Sequence, residues 1–132
     1  MRALSHSLAE SLARRLNEAM PAGFRLTPES GWLALHINGF LDGTVTSPEL
    51  ADEETRELEE RLWTAVYGVL NYVQDSISEE TREPWPSEDG RAMAMPEVRV
   101  GRDAIYLWYG DSETAPVLGL PKIPFAEIVE QR

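Results

Sequence analysis

The side chains in this chain that could take part in chemistry are mostly acidic, and they are concentrated in one stretch. Residues 49–89 hold thirteen of the twenty-three acidic residues and three of the twelve basic ones, which is −10 of the net charge of −11. Paired carboxylates can act as general acid and base when their surroundings shift a pKa. Those at 49–60 fall on a predicted regular helix with no partner base, so we expect a solvated helix start and no catalysis.

The remaining reactive residue types are few. His6 and His36 are the only histidines, and neither has a companion at metal-ligand spacing. A chain without cysteine has no thiol nucleophile, thiolate metal site or disulfide. No serine lies in a G-x-S-x-G turn, and residues 39–43, with two glycines, lack the spacing of a phosphate-binding loop. The sequence therefore predicts no catalytic, cofactor-binding or metal-binding residue, and we expect a protein that is not an enzyme.

The composition limits the location and the partners. A chain of 132 residues fits one domain, residues 1–132. The sequence pI of ≈ 4.5 disfavours binding to nucleic acid or to an anionic membrane, because both need a basic footprint. No apolar run approaches the roughly 18 residues of a membrane span, and the N-terminus lacks the pattern of a signal peptide. Together with the absence of cysteine, this predicts a cytoplasmic protein.

Two helices are expected from the spacing of apolar residues. Leucines at every fourth position predict a helix over residues 4–20, which ends near Pro21 and Gly23. A longer helix should begin at Ser47, as N-cap, and continue to about Arg82. At 1.5 Å per residue it would be roughly 50 Å long, whereas a compact domain of this size is about 30 Å across. We therefore expect this helix to break, near Gly68 or residues 76–78, or to project from the domain.

Strands are expected where apolar residues alternate between turn residues. The predicted strands cover residues 24–27, 32–38, 98–100, 104–109 and 117–120, and residues 39–47 form either a loop or a third edge strand. This order, α-β-β-α-β-β-β, indicates an α+β fold. We predict an antiparallel sheet of about five strands, with the N-terminal helix and the one long central helix packed on one face.

The middle of the long helix, residues 62–73, is the most apolar run in the chain. One face of it carries the stripe expected to pack on the sheet: Leu58, Leu62, Ala65, Val66, Val69, Val73 and Ile77. A second row, Trp63, Tyr67 and Leu70, follows one flank, and Tyr72 lies at the other margin. This arc exceeds half of the circumference, whereas an ordinary surface helix needs a stripe only slightly wider than about 100°. The second row is therefore covered by another part of the chain, or it is a partner-binding surface.

The string Glu83-Pro-Trp-Pro86 holds the fourth candidate for partner binding. Prolines on both sides favour an extended backbone at Trp85. We favour the interpretation that Trp85 lies over the core and closes the end of the helix. The other interpretation is an exposed aromatic anchor for a partner.

In size, acidity and the order helix-hairpin-helix-strands, the chain resembles the type III secretion chaperone-like fold, and it departs from that fold in lacking a clear closing helix. The best functional hypothesis is a small acidic binding or adaptor protein that self-associates or binds a protein partner through Trp63, Tyr67 and Leu70. One version of this hypothesis is a homodimeric chaperone-like module. The alternative is an acidic inhibitor or immunity-type protein that masks a basic partner. A small enzyme without a recognisable motif comes third.

Overall fold

The computed structural model describes residues 2–29, 32–46 and 58–128, and it confirms the predicted α+β class. The elements within these ranges are α1 (Arg2–Ala19), β1 (Phe24–Glu29), β2 (Trp32–Ile37), β3 (Phe40–Thr46), α2 (Leu58–Thr81), β4 (Pro96–Val100), β5 (Ala104–Tyr109), β6 (Leu118–Gly119), β7 (Ile123–Pro124) and α3 (Phe125–Ile128). Their order agrees with the predicted one, with a third strand before the long helix and a short strand and helical turn at the end.

The strands form two antiparallel sheets where the sequence predicted one. The first sheet has the order β1-β2-β3. In the second, β5 is central: β4 pairs along one side, and β6 and β7 pair with successive parts of the other side. The prolines at 116, 121 and 124 explain why β6 and β7 have only two residues each, because proline cannot donate a ladder hydrogen bond.

A two-residue turn explains why residues 39–47 were ambiguous in the sequence. Asn38 and Gly39 both have positive φ, 52° and 89°, which is the backbone of a tight hairpin turn between β2 and β3. The Asn38 N–H also donates to the Gly23 carbonyl (2.7 Å), which ties this turn to the end of α1. The glycines at 39 and 43 therefore belong to a hairpin, and Phe40–Thr46 is the edge strand.

Helix α1 covers one face of the first sheet. Its leucine stripe is fully buried, with Leu8, Leu12 and Leu16 at most 2% exposed. The facing residues of the sheet, Leu26 and Leu35, are also buried. The helix ends close to its predicted position, at Ala19.

Helix α2 is continuous from Leu58 to Thr81, so the expected break near Gly68 or residues 76–78 does not occur. Its 24 residues correspond to about 36 Å, which a domain of this size accommodates with little projection. The predicted start at Ser47 lies outside the described residues. The helix ends where predicted, since Arg82 follows with a φ of 61°.

Most of the wide apolar arc of α2 is covered because the helix contacts both sheets. Its central stripe is buried from Leu62 to Ile77. One flank lies along β4 and the segment before it, where the Gln74 amide donates to the Ala94 carbonyl. The opposite flank meets β3, where a Cβ added to Gly43 would overlap the Tyr72 hydroxyl. One sheet was predicted beneath this helix, and the second sheet accounts for much of the apolar arc that a single sheet could not cover.

Candidate functional site

The candidate site is the part of α2 beside the outer edge of β4. The Gly101 N–H donates to the Ala104 carbonyl (2.9 Å) where the β4–β5 ladder begins. Odd-numbered residues of β4 therefore bond to β5, and even-numbered residues direct their backbone groups to the outer edge. The indole Nε1 of Trp63 donates to one of these outward groups, the Val98 carbonyl (2.9 Å). Trp63 thus covers an edge that would otherwise be open to another strand.

The Trp63 ring also forms the most exposed part of the predicted partner-binding row. It stacks on Tyr67, with ring centroids 4.9 Å apart and an interplanar angle of 7°. Trp63 remains 41% exposed, and Tyr67 is half-buried against the core. The structure therefore brings these two predicted residues together as one aromatic surface, which we call the Trp63–Tyr67 stack.

The other two predicted partner-binding residues face inward. Leu70 is fully buried, and its backbone carbonyl accepts a hydrogen bond from the Tyr109 hydroxyl (2.8 Å). A partner cannot contact the Leu70 side chain in this conformation. Leu70 is inward because its position on the helix lies nearer the central stripe than Trp63 and Tyr67 do.

Trp85 lies over the core, as in the interpretation that we favoured. Its ring meets Tyr109 edge-on, with centroids 5.5 Å apart and an angle of 65°. Its backbone N–H donates to the Ser78 hydroxyl (3.1 Å), which fixes the chain just after α2. These contacts leave Trp85 half-buried just after the C-terminal end of α2, whereas the Trp63–Tyr67 stack lies in the N-terminal half of that helix.

Gly68 is an open position on the outer surface of α2, about 100° around the helix from Tyr67. A Cβ built at Gly68 meets no atom within 4 Å. The glycine is therefore not required by a close neighbour within the described part of the chain. It leaves open space on the outside of α2, where another helix or strand could approach the backbone.

Two groups of exposed apolar residues were not predicted from the sequence. Phe40 and Leu41, next to the β2–β3 turn, are 79% and 63% exposed. Met93, Met95 and Val117 line an open groove on the second sheet. The alternation of Met93 and Met95 was a usable signal, since residues two apart in an extended segment share a face. The position of Val117 beside them depends on the β5–β6 pairing and could not be seen.

The strongest electrostatic interaction joins α1 to α3 and is structural. Arg15 is 8% exposed, and its guanidinium donates to both carboxylate oxygens of Glu127 at 2.7 and 3.0 Å. Its other hydrogen bonds go to the carbonyls of Ser11, Pro121 and Lys122. The Arg15 hydrogen bonds lower the pKa of Glu127 to about 2, with smaller contributions from Ser11 and Arg14. Because every Arg15 donor is paired, this network offers nothing to a ligand.

In the described ranges, acid-base pairs and metal-binding clusters would have to come from the histidine and acidic side chains. His6 lies 3.3 Å from Glu10, and both side chains are about half exposed. Residues 2–29, 32–46 and 58–128 contain no group of three or more His, Cys, Asp or Glu side chains that could hold a metal ion. Within the same ranges, no helix combines the length and apolarity needed to cross a bilayer.

Comparison with protein-family models, with curated proteins and with solved structures gives no match for this chain. The resemblance to the type III secretion chaperone-like fold therefore depends on size, acidity and the order of the elements.

Proposed function

We propose that the protein is a small acidic binding module that self-associates through the outer surface of α2. The observation that carries this proposal is the Trp63–Tyr67 stack, a parallel aromatic pair that keeps 41% of Trp63 exposed. Aromatic side chains supply much of the binding energy in protein interfaces when a partner removes them from water. The open position at Gly68 lets the backbone of a second copy approach this surface closely.

A symmetric pair is the simplest assembly that this surface allows. In a twofold dimer the same patch serves both copies, so one stack and one open position per chain suffice. The proposed interface is small and depends on aromatic contact, and we therefore expect association that changes little with salt. An adaptor or chaperone-like role would then use the surfaces that the dimer leaves free.

Gly68→Arg tests the interface without disturbing the core. The new side chain starts in open space, and replacing glycine inside a helix should favour folding by roughly 0.5–1 kcal/mol. We expect the wild-type protein to run at twice 14.8 kDa in light scattering and the variant at 14.8 kDa, with an unchanged circular dichroism spectrum. Tyr67→Glu, which places a charge in the stack, should also give a folded monomer.

Phe40→Arg is the matched control, because it adds the same charge to an exposed apolar site beside the β2–β3 turn. This variant should retain the mass of the wild type. A wild-type protein that is monomeric at every concentration, or a Gly68→Arg variant that stays dimeric, would contradict the proposal.

The charge distribution favours a second candidate, an acidic protein that masks a basic partner. Residues 49–89 carry −10 of the net charge of −11, although residues 49–57 lie outside the described ranges. Binding of this kind weakens steeply as salt screens the charges. A partner recovered with the protein that dissociates in moderate salt would support this candidate over the apolar interface.

A further inference from the structure

The groove on the second sheet is lined by flexible apolar side chains. Met93, Met95 and Val117 are 39%, 49% and 36% exposed, which makes them three of the most exposed large apolar residues in the described ranges. They border one open depression of ≈ 230 Å³. This volume is below the roughly 300–1,000 Å³ of common small-molecule pockets, and it suits one or two side chains of a peptide.

The groove is held in shape by its own backbone. Gly110, with a φ of 128°, lines it, and a Cβ there would lie 2.9 Å from the Val117 nitrogen. The Val117 N–H donates to the Tyr109 carbonyl (2.9 Å), which fixes this close approach. On the other side, the Ser78 hydroxyl contacts the Met93 sulfur (3.2 Å). A preformed site binds its ligand without a large entropic cost of ordering the backbone.

The lining of the groove is acidic. Glu88, Asp89 and Asp111 all contribute to it, and none of its lining residues is basic. One oxygen of Asp89 accepts the backbone N–H groups of Arg91 (2.9 Å) and Ala92 (3.4 Å) and so holds the loop. Within the described residues, the carboxylates of Glu88 and Asp111 form no hydrogen bond or ion pair. Both therefore remain available to a cation on a ligand.

We propose that this groove binds a peptide segment in which an aliphatic residue is flanked by lysine or arginine. The aliphatic side chain enters between Met93, Met95 and Val117, and the flanking cations pair with Glu88 and Asp111. Methionine suits such a site because its unbranched, polarisable side chain adapts to different apolar shapes. The carboxylates select against acidic peptides and other anions by like-charge repulsion. This binding site is separate from the self-association surface and does not depend on it.

The four methionines of the chain provide the test in the wild-type protein. The methionine methyl groups of the protein are labelled with ¹³C, and their NMR signals are followed as a short peptide is added. This peptide carries leucine and valine between lysines. We expect the Met93 and Met95 signals to shift in a saturable way, while the signal of the buried Met20, just after α1, does not move. Replacing the lysines of the peptide by glutamate, or its aliphatic residues by serine, should remove the shift.

Charge variants of the protein test the acidic rim. Glu88→Gln with Asp111→Asn should weaken binding by about threefold to tenfold at low salt, in line with the modest strength of exposed ion pairs. Asp103→Asn is the matched control, because this exposed residue lies in the turn at the other end of β5, and it should bind like the wild type. The Gly68→Arg variant should also bind the peptide normally, which separates this proposal from the self-association of α2.

Three results would overturn the proposal. The first is the absence of saturable Met93 and Met95 shifts with the lysine peptide. The second is equal binding of the glutamate peptide. The third is a shift of both methionines on raising the protein concentration without peptide, since that would identify a second copy of the chain as the occupant.

Discussion

Arg15 shows how a charged side chain is buried at low cost in this molecule. Its five donors reach Glu127 and three backbone carbonyls, so the guanidinium keeps a full set of partners after it leaves water. Two of these carbonyls, at Pro121 and Lys122, belong to the segment that leads into β7. One side chain of α1 thereby fixes the C-terminal part of the chain against the first helix.

Glu127→Gln should destabilise the protein by about 2–3 kcal/mol, because Arg15 would stay buried with only neutral partners. Urea unfolding of the variant beside the wild type measures this difference. Glu113→Gln is the control, since its pairing with Arg99 (2.7 Å) is exposed and should contribute little. Equal losses in the two variants would contradict the role assigned to burial.

The same carboxylate predicts the response to acid. The folded-state pKa of Glu127 is about 2, below its ordinary value of 4.5, so its contribution to stability is complete above pH 4.5. That contribution is lost as pH falls from about 4.5 towards 2. We expect the difference in unfolding free energy between the wild type and Glu127→Gln to shrink across this range. A difference that stays constant down to pH 2 would show that ionisation of Glu127 is not its source.

Helix α2 shows what periodicity can and cannot predict. The spacing of Leu62, Val66, Val69 and Val73 correctly identified the buried stripe, because residues three and four apart share a helix face. The neighbours of the stripe are set by contacts distant in sequence, and the second sheet was therefore not foreseen. For the same reason the sequence left open whether the row with Leu70 is covered by the chain or binds a partner, and the structure buries Leu70.

The contact between α2 and β3 can be tested by a pair of substitutions. Gly43→Ala places a methyl group where the Tyr72 hydroxyl lies, so we expect a loss of about 1 kcal/mol. Tyr72→Phe removes that hydroxyl and leaves the ring, and the double variant should recover most of the loss. Thermal unfolding of the four proteins gives the coupling energy. Strictly additive effects would show that the two side chains do not share this space.

At the scale of the whole molecule, the net charge of −11 sets the behaviour of the folded protein in solution. Such a charge favours solubility and opposes compaction through self-repulsion. The α+β class was predicted from the order of the periodic segments, because that order does not depend on which residues meet. The groove of Met93, Met95 and Val117 could not be predicted, since it joins segments that only the fold brings together.

Screening this repulsion should stabilise the protein. Raising sodium chloride from about 0.01 to 0.15 M shortens the range of charge interactions from about 30 to 8 Å, and we expect Tm to rise by about 2–4 °C. Differential scanning calorimetry at constant pH measures the change. A fall in Tm would mean that attractive pairs such as Arg99–Glu113 outweigh the repulsion among the acids.

The position of α2 between two sheets also bears on how the sequence can diverge. Each margin of the helix meets different strands: Gln74 reaches the segment before β4, and Tyr72 reaches β3. A substitution in one sheet can therefore be compensated at the margin that faces it, while the other margin and its strands keep their residues. Over evolutionary time, the two halves of this protein are free to change at different rates.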